Sequence, residues 1–467
     1  MKLDYKKLAA EKKDAILADL ATLVAIDSSR DLDHATDEYP LGPGPAKAME
    51  QFLAFAKRDG FKTVNIDNLA GRVEFGAGDA NETLGIIGHM DEVPAGEGWN
   101  TDPFKLVIEG DKLIGRGTAD DKGPTLAAYY AMLILKEQGF EPAKNVHFIV
   151  GTDEENDWTG INRYLETEPA PDMVFSPDAE YPIINGEKGI VSYELSFKGL
   201  EDLGADKLLS FKAGLAANMV PQTATAKVYA QDVATMKNAY EDFLSDNDLE
   251  GTFEVSGNEA TITLIGMGAH GSEPQVGRNA ATFLGLFLSK FDFAGRDKNY
   301  LDMIANILHE DFDGAQLGIK FHDDLMGELS AAPDVYNYND DEATILVNVR
   351  YPQGITAEEI EKTLNDKYGD ILTAKIKGHA QTPHYVSGDD ELVKTLLAVY
   401  ENQTGKKGHE TIIGGGTYGR IFERGVAFGA QPEDQEMVMH QPNEYMLLSA
   451  VMDSIAIYAE SIYELTK

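Results

Sequence analysis

His89 and Asp91 stand two positions apart in IIGHMDEVP, at the end of an apolar run. On an extended chain, residues i and i+2 share a face. A carboxylate placed there can hold the imidazole in one tautomer and leave its other nitrogen for a cation. A polar strand end with no further role would look the same. Further along, IGRGTADDKGP sets Asp120 and Asp121 side by side before the apolar segment TLAAYYAMLILKEQG. Helix capping accounts for one acidic residue at such a place more readily than for two. GTDEEND sets Asp153, Glu154 and Glu155 after the run VHFIV. Adjacent glutamates on an extended segment point to opposite sides, and their repulsion calls for positive charge nearby. A solvated loop is the alternative. With a cation present, one glutamate can ligate while its neighbour handles protons. FSPDAEYP adds Asp178 and MVMHQPNEY adds His440, either of which a turn or an ordinary surface histidine would also explain. Together His89, Asp120, Glu155, Asp178 and His440 make an all-nitrogen-and-oxygen donor set suited to zinc, manganese or cobalt.

Three of these motifs end short apolar runs, TLGIIGHMD, NVHFIVGTDEE and PDMVFSPD, which alternate with helical segments such as GPAKAMEQFLAFAKRDG. That rhythm predicts an α/β domain with a mainly parallel, mixed sheet. Ligands sit beyond the carboxyl ends of strands in such sheets, so three strand ends can converge on one site. The middle of the chain has longer alternating stretches, TATAKVYA, ATITLIGMG and ATILVNVRYPQG, with amphipathic helices DVATMKNAYEDFLSD, RNAATFLGLFLSKF and AEEIEKTLNDKYG between them. This predicts an inserted α+β domain, with a division into two ferredoxin-like halves as one reading of it. The expected division is one discontinuous α/β domain, 1–186 and 383–467, and an inserted domain, 187–382. The N-terminal segment MKLDYKKLAAEKKDAILADLATLVAID reads as one amphipathic helix without a signal-peptide core.

The chain has 467 residues, 79 acidic against 40 basic side chains, a net charge of −39 and no cysteine. Nucleic acids and anionic membranes would be repelled by such a surface. Without cysteine there are no disulfides, no thiolate nucleophile and no sulfur ligands. No stretch approaches the roughly 20 apolar residues of a membrane span, so a cytoplasmic protein is expected.

In this order, GHMDEVP, GRGTADDKGP, GTDEEND, SPDAEYP and MHQPNEY resemble the co-catalytic zinc peptidase and deacylase family that includes carnosinases, aminoacylases and desuccinylases. VGTDEENDW, FSPDAEYPIINGEKGI, IGGGTYGR and FERGVAFGAQPE resemble its monomeric Xaa-His dipeptidase branch from lactic acid bacteria. The resemblance implies two zinc ions, with manganese or cobalt as substitutes. His89 and Asp178 would bind one, Glu155 and His440 the other, and Asp120 would bridge them. Asp91 would orient His89, and Glu154 would be the general base acting on a metal-bridging water. A cis peptide is implied after Asp120. For the substrate, the resemblance implies His270 as oxyanion donor, Asn218 and Arg350 as contacts to the substrate and its carboxylate, and close backbone approach at Gly414, Gly415 and Gly416. Glu92 departs from the family pattern and receives no role.

The function expected from this is a dipeptidase acting on small peptides with a free N-terminus, including Xaa-His, as a monomer. A deacylase shares the chemistry and differs in the pocket, where a dipeptidase must seat an ammonium, for instance near Asp121. A non-catalytic metal- or peptide-binding protein is the third reading, and Glu154 beside a ligand argues against it.

Overall fold

The computed structural model describes residues 3–76, 78, 80–199 and 204–467. Two compact units emerge: one comprises Met1–Gly186, Tyr385–Ile412 and Gly416–Lys467, the other Glu187–His384 with Ile413–Gly415. The sequence pattern places all of 383–467 in one domain, yet two hydrogen bonds hold residues 413–415 to the second unit. Lys188 N donates to Ile413 O at 2.9 Å, and Arg350 Nη1 donates to Gly414 O at 2.9 Å.

The first unit is built on a mixed sheet whose centre is parallel. Ala70–Phe75, Asn145–Gly151, Thr83–His89, Met173–Ser176 and Gly425–Ala427 lie side by side in that order. The last four run parallel, in the register His89↔Gly151 and Ile86↔Phe175, while Ala70–Phe75 pairs antiparallel to Asn145–Gly151. These strands are buried along nearly their whole length, as continuous apolar runs in a two-sided sheet should be. Helix Lys122–Glu137 lies buried between sheet and helix Leu448–Thr466. Gly88 is required for this packing: a Cβ there would lie 2.0 Å from Thr125 Oγ1 and 2.6 Å from Asp121 Oδ2. The start of that helix therefore sits directly against the end of strand Thr83–His89.

The expected single N-terminal helix is two, Tyr5–Glu11 and Lys13–Val24. Lys12 N turns to Ala9 O at 2.8 Å, and the change of direction lets the first helix pack on Leu448–Thr466 while the second packs on Lys122–Glu137 and Pro43–Arg58. Tertiary packing overrides the continuous amphipathic pattern.

The second unit is an eight-stranded antiparallel sheet in the order Glu250–Ser256, Glu259–Ile265, Thr223–Tyr229, Lys207–Ala213, Ser330–Tyr338, Ala343–Tyr351, Gly189–Phe197, Leu372–Gln381. It divides into two four-stranded halves joined by Lys207–Ala213 and Ser330–Tyr338. Each half runs hairpin, helix, outer strands. The helices are Val233–Asn247, capped by Asp232, and Ala357–Tyr368, closed by a Thr356/Glu359 capping box. In the second half the strand beside the hairpin is the one with which the chain enters the unit, Gly189–Phe197. Among the described residues, no helix is long and apolar enough to cross a membrane.

Candidate metal centre

Strand Thr83–His89 ends by burying His89 completely, and polar contacts from three aspartates orient its ring. Nδ1 faces the Asp91 backbone oxygen at 3.0 Å and the Asp91 carboxylate at 3.4 Å. Nε2 faces Asp120 Oδ1 at 3.0 Å and Asp178 Oδ2 at 3.6 Å. Asp120 follows the glycine-containing turn before helix Lys122–Glu137, and its peptide to Asp121 is cis, as the resemblance implied. The other Asp120 oxygen, Oδ2, meets His440 Nε2 at 2.8 Å, and the same nitrogen meets Glu155 Oε2 at 3.1 Å. Each oxygen of Asp120 thus faces a different imidazole. His440 reaches this place from a tight loop in which His440 and Asn443 both take left-handed backbone, φ 64° each.

Glu154 and Glu155 do not splay to opposite sides as an extended segment would place them. Residues 154–157 form a turn, pinned where the Asp91 carboxylate accepts the N–H groups of Glu154 and Glu155, both at 3.1 Å. Both glutamates consequently turn to the same centre. Donor atoms of His89, Glu154 and Asp178 lie within 4.8 Å of one another, as do those of His89, Asp120 and Glu155. Asp91 therefore acts on the glutamates at least as directly as on His89.

The electrostatics ask for positive charge. Burial drives Glu154 well above the usual carboxylate range; Asp178, Glu155 and Asp120 add to this and His89 opposes it. Burial lifts Glu155 to about 7, with Asp120 adding and His440 opposing. Asp178 is raised by burial and by Asp120. For Asp120 burial is outweighed by its hydrogen bonds with His440 and His89, which hold it low. The imidazoles answer in kind: hydrogen bonds to Asp120 and Glu155 push His440 to about 11. Burial disfavours charge on His89, but Asp120, Asp178 and Asp91 together hold its pKa well above the ordinary value. Glu155 Oε1 is buried without a hydrogen-bond partner among the described residues. A crowd of buried carboxylates with two imidazoles and an orphaned oxygen is the chemistry of a divalent-cation site, and the donors fit such ions.

Asp121 is fully buried, and its Oδ2 accepts from His89 N at 3.1 Å and Thr125 Oγ1 at 2.7 Å. Glu92, left without a role by the sequence, is buried in an ion pair with Lys122 at 2.6 Å. Its other oxygen accepts from Ser28 N at 2.9 Å, and Lys122 Nζ also donates to Ile26 O at 2.9 Å. Sequence reading missed Glu444 and Arg116, which are buried and paired at 2.6 Å, and Tyr418, whose ring stands edge-on to His89 at 6.4 Å. The signals were present, since Glu444 lies four residues after His440 and Arg116 four before Asp120, but nothing in the sequence says that they face each other.

The remaining expected site residues lie in the second unit, apart from Gly416, which belongs to the first. There Gly271 N donates to Asn218 O at 2.7 Å, which sets the Asn218 and His270 segments together. His270 Nδ1 lies 3.2 Å from Ser272 N and 2.7 Å from Ser272 Oγ, which orients the ring. Arg350 is buried and donates to Asn348 Oδ1 at 2.9 Å as well as to Gly414 O. A Cβ on Gly414 would lie 3.1 Å from Ser272 Cβ and 3.8 Å from Arg350 Cγ, so these segments are neighbours.

The profile of peptidase family M20/M25/M40 matches residues 85–464. The chain is 58% identical over 469 residues to the Beta-Ala-Xaa dipeptidase of Lactobacillus delbrueckii subsp. lactis, covering 100% of this chain and 99% of that protein. Among solved structures, human carnosine dipeptidase 1 aligns with a TM-score of 0.58 at 14% identity, over 99% of this chain and 98% of that one. Aminoacylhistidine dipeptidase from Vibrio alginolyticus aligns with a TM-score of 0.57 at 14% identity, over 97% and 96%. At such identities these two structures speak for the fold. With a family profile spanning most of its length and a relative more than half identical throughout, the chain belongs to peptidase family M20/M25/M40, a family of metal-dependent hydrolases.

Proposed function

We propose that this chain is a dipeptidase that hydrolyses dipeptides with a free N-terminus, Xaa-His types such as carnosine included, with two zinc ions that manganese or cobalt can replace. The observation that carries the reading is Asp120, with a different imidazole at each oxygen and Glu154 at the same centre. The 58% identity to a Beta-Ala-Xaa dipeptidase supports the substrate class. When bound by His89, Asp178, Asp120, Glu155 and His440, the cations would lower the pKa of a water and polarise the scissile carbonyl.

Glu154 is the general base. It takes the proton of the attacking water on its carboxylate and returns it to the leaving amine. Asp91 keeps Glu154 in place through the backbone. His270 offers a ring N–H to the oxyanion, where a placed donor is worth more than in water. Arg350 receives the substrate carboxylate with its planar fork, Asn218 contacts the substrate, and the backbone at Gly414, Gly415 and Gly416 approaches that carboxylate closely. The first unit is the catalytic domain and the second, with Ile413–Gly415, the lid, in a monomer of the cytoplasm.

Steady-state rates of the zinc-loaded protein on Ala-His, β-Ala-His and N-acetyl-histidine test the reading. Faster turnover of the two dipeptides is expected; far better hydrolysis of the acetylated amino acid would make it a deacylase. Sedimentation as an obligate dimer would contradict the monomer.

A further inference from the structure

Glu444 has no exposed surface, and each of its oxygens is committed. Oε1 accepts the backbone N–H groups of Ala119 at 2.8 Å and Asp120 at 3.2 Å. Oε2 accepts from Arg116 Nη1 at 2.6 Å. Arg116, 1% exposed, carries the connection onward: Nη2 reaches Pro94 O and Ala95 O at 3.4 Å each, and the guanidinium stands 5.3 Å from the Trp99 ring. Beside this pair, Asn443 Oδ1 accepts Asn100 N at 2.7 Å and Asn443 Nδ2 donates to Gly98 O at 3.2 Å. One carboxylate thus ties together the loop after Asp91, the peptide that carries Asp120 and the loop after His440.

Burying a charged pair is expensive, and two N–H groups could be satisfied by neutral carbonyls at lower cost. A charged acceptor does something a carbonyl does not: one carboxylate holds two successive N–H groups with one oxygen and a guanidinium with the other, so the peptide is fixed to a second segment. Rigidity would matter at Asp120, because a carboxylate that two cations shared would be pulled from both sides. The peptide that bears it must not yield.

Resting on the proposed two-cation reading, we infer that Glu444 is the positioning residue for Asp120, and that Arg116 locks Glu444 to the loop 94–100. Glu444 acts through the peptide it holds, by the N–H groups of Ala119 and Asp120, and not on the substrate.

The test compares Glu444→Gln and Arg116→Lys with the wild type in the full chain. Zinc affinity is measured by competition with a chromophoric chelator, the cobalt-loaded forms are examined by visible absorption, and kcat and KM are measured on Ala-His. The inference predicts that zinc affinity and kcat each fall on the order of 10- to 100-fold, as is usual when a ligand's support is removed. KM should stay within about 3-fold, with an altered cobalt spectrum. If either variant loses thermal stability yet binds zinc and turns over like wild type, the pair is structural and the inference is wrong. Should Glu444→Gln fail to fold, Arg116→Lys decides the matter alone, and native affinity, spectrum and kcat in it overturn the inference. A wild type that binds two zinc ions but leaves dipeptides intact would sink the proposed function while the affinity and spectral arms still judge the clamp. A wild type that binds no divalent ion overturns both.

Discussion

Each unit buries carboxylates, and the two places differ in what stands beside them. In the first unit Asp120, Glu154, Glu155 and Asp178 converge with two imidazoles. In the second, Asp334 is fully buried, and neither of its oxygens has a hydrogen bond among the described residues. Burial lifts it to about 8, opposed only by the charge of Arg350. Strand Ser330–Tyr338 has an irregularity in register between Pro333 and Val335, which turns Asp334 under Gly271, where a Cβ would lie 3.0 Å from its Oδ2. Burial alone therefore does not make a metal site. Several carboxylates with imidazoles ask for cations, whereas a solitary carboxylate takes a proton.

The sharpest way to break this comparison is to strip divalent metal. Chelation is expected to abolish peptide hydrolysis and lower the melting temperature of wild type and Asp334→Asn alike, and zinc should restore both. An activity indifferent to chelators would erase the distinction. Next in size is Glu154→Ala, which should cost on the order of 10³-fold in kcat while zinc content stays at the wild-type level. Normal turnover by that variant would remove Glu154 from the chemistry.

Smaller still is the effect on the solitary carboxylate. An acid whose pKa is higher folded than unfolded holds its proton in the fold where the unfolded chain has released it. For Asp334 the burial is free of this cost below its ordinary 3.8; the cost grows as pH rises and is complete above about 8. Asp334→Asn cannot ionise, so its stability relative to wild type should rise with pH through that window and stay high above it, by about 5 kcal/mol at pH 8 and little at pH 4. Denaturant melts at the two pH values measure it, and an equal difference at both would show that Asp334 is not the titrating group. The least effect expected is that of Arg350→Lys, which keeps the charge and loses the fork. KM for dipeptides should rise about 10-fold with kcat little changed.

Much of the site was legible because each ligand type ends an apolar run. His89 after IIG, Glu154 and Glu155 after FIVG and Asp178 after VFSP announce strand ends, and parallel strands bring their ends to one edge. The turn at 154–157 was not legible, because it is imposed by the Asp91 carboxylate some sixty residues earlier in the chain. The same holds for Glu444 with Arg116 and for Glu92 with Lys122: a buried ion pair between distant segments leaves no periodicity behind. The N-terminal break at Lys12 is another case in which a local pattern yields to its packing partners. In SAAPDVYNY nothing marks Asp334 as buried; the register irregularity between Pro333 and Val335 places it inside.

The central claim is that Asp120, with an imidazole at each oxygen, marks a centre for two cations. Mass spectrometry of the native protein after zinc loading, beside His440→Ala, tests it most directly. Two zinc ions per chain in the wild type and one in the variant are the predicted result; one or none in the wild type, or two in both, would contradict it.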